Sequence, residues 1–338
     1  MNTIIDVARL AGVSKSTVSR VISGKGSIRP ETRKKVEEAM AALHYVPNQL
    51  ARGIRTGRTH TIALMVSETS NLYYNELLYH IEAIAREHDY MVMLCNSGTD
   101  SQLGEKYISW LQQRNVDGLL YCFYRDNEVT DRLYSLSSTV PIVFLDNPLG
   151  SHTNTSYVGA DGLTDIAEVI RDLHTNGARA IAFIGINDIC NNTYRFMGYR
   201  AGLTACGYEY DSRLVYRIPF DEAIVKSHFQ LGYEAAQHLM SLKNSPDAIV
   251  AATDMLAIGA LKYLNEVGIA VPERVSVVGY DNIHLSSMLS PALSTIAQPV
   301  DQIANEAMSI LIHKIEVDNS YNKSFLAKST FLKRASSR

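Results

Sequence analysis

Apolar residues recur at helical spacing in the opening segment. Ile4, Ile5, Val7, Ala8, Leu10 and Ala11 follow Thr3, a side chain suited to cap a helix, with Asp6 in the first turn. Gly12 stops that helix and Val13 is an apolar plug in the turn. Ser14 caps a second short helix, Lys15–Ser23, whose apolar positions are Val18, Val21 and Ile22. Its remaining faces carry Lys15, Ser16, Thr17, Ser19 and Arg20. A third helix starts at Arg29-Pro30-Glu31-Thr32-Arg33, with Pro30 near its first position and Val36, Ala39, Met40 and Leu43 packing inward. Two short helices joined by a tight glycine turn predict a helix-turn-helix. Small polar and basic groups at the start of its second helix suit the floor of a DNA major groove.

Val46–Arg55 follows as a linker. Leu50 and Ile54 stand at i and i+4, but Gly53 and the short length predict a tether rather than a stable helix in the free protein. From residue 60 the pattern changes to alternating strands and helices. Strands are expected at His60–Val66, Met91–Cys95, Asp117–Phe123 and Ile142–Leu145, with helices at Tyr73–Glu87, Gly104–Gln113 and near Asn127–Leu136. A second series has helices at Gly162–Asn176, Thr193–Cys206, Glu222–Leu242 and Met255–Val267. Its strands are Ala180–Gly185, Leu214–Tyr216, Ala248–Ala251 and Val275–Tyr280. Such alternation implies parallel sheets with crossover helices, and its length suits two α/β lobes. Ligands of such lobes bind in the crevice at the carboxyl ends of the strands.

The charge distribution adds a partner. The 338 residues carry a formal charge of −3, yet residues 1–60 hold 11 Lys+Arg against 4 Asp+Glu, leaving 21 bases against 31 acids in the rest. A basic end on an acidic body is expected to meet a polyanion. No apolar run approaches the ~20 residues that cross a bilayer, and the first residues lack a signal-peptide pattern. Cys95, Cys122, Cys190 and Cys206 form no C-x-x-C pair, so reduced thiols in a cytoplasmic protein are expected. The phosphate-loop, dinucleotide-fingerprint, zinc-protease and nucleophile-elbow motifs are all missing, and the ten histidines have no metal-ligand spacing. We therefore expect no catalysis, no metal and no cofactor.

Polar residues at the strand ends carry the ligand chemistry. Asp146 follows Ile-Val-Phe-Leu, Asp254 follows Ala-Ile-Val-Ala-Ala-Thr, and Asp281 follows Ser-Val-Val-Gly-Tyr. Arg195 opens a helix after a strand. Carboxylates and a guanidinium around a cleft suit a polyhydroxylated ligand, because each can hold two adjacent hydroxyls. Tyr73, Tyr74 and Phe220 supply flat faces for a sugar ring. Any one of these alone is more often a helix cap or a core aromatic, and Asp254 in particular could be an N-cap.

The segment DVARLAGVSKSTVSRVISGKGSIRPETRKKVEEAMAALHYVPNQLARGIRTGRT closely resembles the headpiece of the lactose-repressor (LacI/GalR) family of bacterial transcription regulators, and weaker motifs continue to the C-terminus. The resemblance implies an all-α helix-turn-helix headpiece at 1–46, a hinge at 47–59 and a two-lobe core at 60–338 like that of periplasmic binding proteins. The first lobe is expected over about 60–160 and 291–321, the second over about 161–290 and 322–338. Lys15, Ser16 and Arg20 would read bases, while Thr17, Ser19 and Asn48 would position phosphates. Leu50, Ala51, Arg52 and Ile54 would form a hinge that folds on DNA and wedges into the minor groove, with Ile54 where the family usually has leucine. Tyr73, Tyr74, Arg195 and Asp281 match effector-binding positions, and Asp146 an acid of sugar-responsive members. Thr253 replaces the lactose repressor's asparagine. Ile189 replaces an arginine of purine-responsive members, and Ser290 one of members that bind a phosphocarrier protein. A neutral sugar or small oligosaccharide is the best remaining effector, with a purine- or phosphocarrier-coregulated repressor as the alternative, and near-palindromic operator DNA is the partner. The short end after Leu332 lacks the lactose repressor's tetramerisation tail, so a homodimer is expected. A transported sugar-binding protein would share the core, without the helix-turn-helix.

Overall fold

Thr3 starts the first helix by a reciprocal cap: the Asp6 backbone N–H donates to the Thr3 hydroxyl, and the Thr3 N–H donates to the Asp6 carboxylate at 2.9 Å. Such a cap contributes about 1 kcal/mol. The helix, α1 (Ile4–Ala11), ends at Gly12, whose φ of 68° is the left-handed conformation glycine adopts without penalty. The Val13 N–H returns to the Ala8 carbonyl at 3.0 Å and aims the chain into α2 (Lys15–Ser23). α3 (Pro30–Ala42) begins on its proline. Val7, Ala8, Val18, Val21, Val36 and Ala39 form the buried centre of this unit, whereas Ile5 and Leu10, also on the helical pattern, are exposed.

The computed structural model describes residues 2–23, 27–45, 58–66, 69–97, 101–113, 116–122, 128–145, 155–186, 194–219 and 226–338. The chain divides into a unit of residues 1–59 and a unit of residues 60–338. Asn48, Leu50, Ala51, Arg52 and Ile54 of the expected hinge lie outside the described residues, as do Asp146, Ile189 and Phe220.

The second unit contains two six-stranded sheets. The strands are β1 (Thr61–Val66), β2 (Met91–Asn96), β3 (Gly118–Cys122), β4 (Ile142–Leu145), β5 (Ser156–Ala160), β6 (Ile181–Ile186), β7 (Val215–Ile218), β8 (Ala248–Ala251), β9 (Ser276–Asp281), β10 (Ser294–Ala297), β11 (Ser324–Ala327) and β12 (Thr330–Leu332). The first sheet runs β11-β5-β4-β3-β1-β2 and the second β12-β10-β9-β8-β6-β7. Every described pairing is parallel except β10 with β12. The central strands β3, β4, β6, β8 and β9 are buried along their whole length, as parallel strands covered on both faces must be. β2, an edge strand, is largely open.

The helices are α4 (Leu72–Glu87), α5 (Ser101–Gln113), α6 (Glu128–Leu136), α7 (Gly162–Thr175), α8 (Tyr194–Ala205), α9 (His228–Ser241), α10 (Asp254–Glu266) and α11 (Val300–Glu316). No helix among the described residues is long and apolar enough to cross a membrane. The helix expected from Glu222 begins at His228, because Ser227 caps it through the Gln230 N–H at 3.3 Å. β5, β10, α11, β11 and β12 were not expected.

Two expected lobe boundaries are corrected by these pairings. β10 pairs with β9 of the second sheet, Thr295 opposite Gly279, so the chain returns to the first lobe after Gln298 rather than at 291. β11 pairs with β5 of the first sheet, Phe325 opposite Val158, so the last crossing follows Lys328 rather than Tyr321. Proline and turn residues mark local punctuation, whereas lobe membership is decided by which strand edge accepts the backbone. The three crossings therefore lie at Ala160–Asp161, Gln298–Pro299 and Lys328–Ser329. Two of them run side by side, and the Asp161 N–H donates to the Ala327 carbonyl at 3.2 Å. Lys314, buried near the end of α11, holds the return into β11 by donating to the Asn319 and Tyr321 carbonyls at 2.7 and 2.8 Å.

α9 and α10 cross at two glycines. A Cβ on Gly232 would overlap the Leu256 carbonyl oxygen, and one on Gly259 the Phe229 carbonyl oxygen. Glycine to alanine inside a helix ordinarily gains about 1 kcal/mol. Here backbone stands in the way, and overpacking of about 1–3 kcal/mol should outweigh that gain. Gly232→Ala and Gly259→Ala are therefore expected to lower the urea midpoint of the core. A raised midpoint in either would contradict the close crossing.

Candidate DNA-reading and ligand-binding sites

In the headpiece, the α2 N-terminus is organised by Ser14. Its hydroxyl accepts the Thr17 N–H at 3.1 Å and lies 2.7 Å from the Ser16 hydroxyl and 2.8 Å from that of Thr17. Val18 and Val21 fix the opposite face in the core, so Lys15, Ser16 and Arg20 are exposed while Thr17 and Ser19 are half-buried. The expected base-reading residues, with Thr17 and Ser19 of the backbone-positioning set, thus occupy one short helix with a rigid apolar footing. An arginine there can grip guanine O6 and N7 together, and the small hydroxyls can reach bases or phosphates.

In the core, the second lobe brings Arg195 and Asp281 together. Asp281 ends β9, and Arg195 lies in the first turn of α8. The guanidinium donates from Nη1 to the Ala252 carbonyl, just past β8, at 2.7 Å, and Nη2 stands 3.7 Å from Asp281 Oδ1. Its carbon lies 3.9 Å from the centre of the Tyr280 ring, a cation–π contact. The Tyr280 hydroxyl donates to Asp165 Oδ2 on α7 at 3.1 Å. Burial holds the Tyr280 hydroxyl well above its ordinary range and raises the Asp165 carboxyl as well. The Asp281 side chain is 2% exposed and that of Arg195 18%, so the pair is shielded from screening by bulk water.

Sequence reasoning missed Gln298. This residue, buried at a lobe crossing, donates from Nε2 to Asp281 Oδ1 at 2.8 Å. It thereby ties the hinge directly to the candidate ligand carboxylate. The signal for it was β10: once Ser294–Ala297 is a strand, Gln298 falls at a strand's carboxyl end like the other polar residues.

Tyr73 and Tyr74 lie in the first turn of α4, capped by Asn71, which accepts the Tyr73 N–H at 3.1 Å. Their rings meet edge to face with centroids 5.4 Å apart, and both are buried in the apolar cluster of the first lobe. That cluster extends to Ile283 of the second lobe and to Val300 just after the crossing. Thr253 caps α10, accepting the Leu256 N–H at 3.4 Å.

Asp254 requires a correction. Expected at the ligand, it is fully buried and its carboxylate is already occupied by protein donors. Oδ2 accepts from the Ser286 hydroxyl at 2.5 Å and the Ile283 N–H at 2.9 Å, and Oδ1 from the Thr295 hydroxyl at 2.5 Å. Strand-end position selected it, but the loop from Asp281 to Ser294 folds over it. It anchors that loop instead of facing a cleft.

A helix-turn-helix unit followed by a two-lobe core of the kind that binds small ligands between its lobes defines a DNA-binding regulator. Residues 3–48 match the model of bacterial regulatory proteins of the lacI family, and residues 170–337 that of the periplasmic binding protein-like domain. The ribose operon repressor of Escherichia coli (strain K12) is 32% identical over 329 residues, covering 93% of each chain. The transcriptional repressor PurR of Vibrio atlanticus (strain LGP32) is 31% identical over 332 residues, covering 96% of this chain and 94% of its own. Among solved structures, a transcriptional regulator CelR–cellobiose complex aligns with a TM-score of 0.74 at 29% identity, covering 99% of this chain and 100% of its own. The chain belongs to the lacI family of bacterial regulatory proteins, and is a DNA-binding transcription regulator.

Asp254 yields a pH prediction. Burial, the largest influence, raises its carboxyl to about 6 from the ordinary 3.8. Between those values the folded chain binds a proton that the unfolded chain does not. The stability this contributes is present below about 3.8 and is lost as pH rises through about 6. Asp254→Asn should keep the loop folded, since the amide oxygen still accepts from Ile283 and Ser286, and should remove this part of the pH dependence. Denaturant midpoints of both proteins between pH 4 and 6 test it. Parallel pH profiles would contradict the assignment.

Proposed function

We propose that the protein is a dimeric, cytoplasmic repressor of carbohydrate-utilisation genes, released from its operator when a neutral sugar closes the two lobes. The observation that carries this reading is the Arg195–Asp281 pair, with Gln298 bonding from the crossing to the same carboxylate. A guanidinium from the first turn of α8 and a carboxylate at the end of β9 match vicinal hydroxyls, which accept from one and donate to the other. The buried tyrosines Tyr73 and Tyr74 place aromatic surface on the first lobe, so a ligand touching both lobes would favour the closed form. The pair holds a ligand and performs no chemical step, so we assign the protein no catalytic activity, cofactor or resident metal.

A dimer follows from the reading of DNA, because one short α2 covers only a half-site. Apolar surface is available for it: Tyr79 on α4 and Met91 and Leu94 on the edge strand β2 are exposed. Closure would shift the first lobes against one another and separate the paired segments around Leu50 and Ile54. The cellobiose found with CelR and the ribose operon named for the Escherichia coli repressor favour a sugar, and the comparable identity to PurR keeps a purine as the second reading.

A thermal-shift screen against neutral mono- and disaccharides, their phosphates and purines tests this proposal. A ligand at a hundredfold excess over its dissociation constant stabilises the native state by about 2.7 kcal/mol. The expected outcome is a raised melting temperature with one neutral sugar, abolished by Arg195→Ala and by Asp281→Ala. A shift produced only by a purine or a phosphate would overturn the sugar assignment.

A further inference from the structure

The last residues of the chain reach the strand end that carries the ligand carboxylate. Asp281 and Asn282 both have positive φ, 115° and 58°. Side-chain-bearing residues rarely enter this region, and they remain there only where their surroundings hold them. The Asn282 N–H donates to the Thr295 hydroxyl at 3.3 Å, and that hydroxyl donates to Asp254. The Asn282 side chain is held from a different quarter. Arg334 donates from Nη2 to Asn282 Oδ1 at 2.7 Å and from Nη1 to the Leu293 carbonyl at 2.7 Å.

The arginine is itself fixed. Its own N–H donates to the Ser294 hydroxyl at 2.8 Å. Two residues on, Ser336 accepts the Ser294 N–H at 2.7 Å and donates to the Val277 carbonyl at 2.6 Å. The tail backbone is bonded as well, Val277 N–H to the Ser336 carbonyl at 2.7 Å and Ser336 N–H to the Ala292 carbonyl at 3.0 Å, which fastens it onto β9 and the segment just before β10. The guanidinium fork spans the two ends of the loop between them, Asn282 and Leu293. A planar fork can hold two acceptors at set positions, which a lysine ammonium cannot.

We propose that Arg334 is a positioning residue for the ligand site: by holding Asn282 it locks the left-handed Asp281–Asn282 turn and so sets the direction in which Asp281 meets the hydroxyls of a sugar. The second half of this inference rests on the ligand reading of Arg195 and Asp281, whereas the turn itself can be measured without ligand. If Arg334 served only to fasten the tail, a residue that adopts the turn unaided would not compensate for its loss. Glycine is that residue. Asn282→Gly therefore separates the two roles.

The test uses the full chain as wild type, Arg334→Met, Arg334→Lys, Asn282→Gly and the double variant Asn282→Gly/Arg334→Met. Amide hydrogen exchange of residues 281–283 is followed together with that of β3 and β4. Affinity is measured calorimetrically for whichever of D-ribose, D-glucose, D-galactose and cellobiose stabilises the wild type most. Arg334→Met should speed exchange at 281–283 and weaken sugar binding, each by about tenfold, with β3 and β4 unchanged. Adding Asn282→Gly should bring the affinity back to within about threefold of wild type.

Wild-type exchange in Arg334→Met would overturn the proposal, and so would a binding loss that Asn282→Gly leaves untouched. If none of the four sugars binds the wild type, the sugar reading is at fault for that panel, and exchange alone decides whether Arg334 locks the turn. If Arg334→Met does not fold, Arg334→Lys carries both readouts with the same signs.

Discussion

The two lobes of the core are joined by three crossings, at Ala160–Asp161, Gln298–Pro299 and Lys328–Ser329, and this connectivity governs what a ligand can do. Each lobe is built on a largely parallel sheet whose central strands are buried on both faces, so neither sheet yields to a small ligand. A few backbone torsions at the crossings are far softer. Two of the crossings lie side by side, bonded from the Asp161 N–H to the Ala327 carbonyl, and act as one strap. Rotation of one lobe against the other is the motion this arrangement favours, and hinges of this kind absorb it in a handful of residues.

The proposed ligand pair sits where that motion is felt. Asp281 is bonded to Gln298 on one crossing and faces Arg195, which is itself fixed by the Ala252 carbonyl and the Tyr280 ring. The loop after Asp281 is not free to follow the ligand, because Asp254 holds Ile283, Ser286 and Thr295 from beneath. In the proposed function, a carboxylate held on its own lobe and bonded to the hinge would pass a ligand contact on as a displacement of the other lobe. Differential contact in the open and closed forms is the only way a ligand can shift their populations.

How much of this was legible in the sequence depended on how local each signal was. Thr3 with Asp6, and Gly12 after Ala11, are short-range codes, so the helix-turn-helix was readable almost to the residue. Arg195 and Asp281 were singled out because strand ends are where ligands bind in such lobes, and the fold does bring the two side chains together. Short hinge strands were not: Ser324–Ala327 and Thr330–Leu332 are too brief and mixed to show a period, and their assignment to opposite lobes is a pairing fact. α11 carries a clear apolar stripe, Ile303, Ala304, Ala307, Met308 and Leu311, yet only its packing reveals that it returns to the first lobe. Asp254 was misplaced for the same reason. Its three donors come from residues 29 to 41 positions away, beyond any local reading.

The central claim is that closure of this core and DNA binding by the headpiece are linked. The direct measurement is the affinity of the full-length protein for an operator selected from random duplex DNA, titrated with and without the sugar that stabilises it. A coupling of about 1–3 kcal/mol is typical of such linkage and corresponds to an affinity lower by about 5–150-fold when the sugar is bound. The account predicts that loss in the wild type and none in Asp281→Ala. Equal operator affinity with and without a saturating sugar would contradict it.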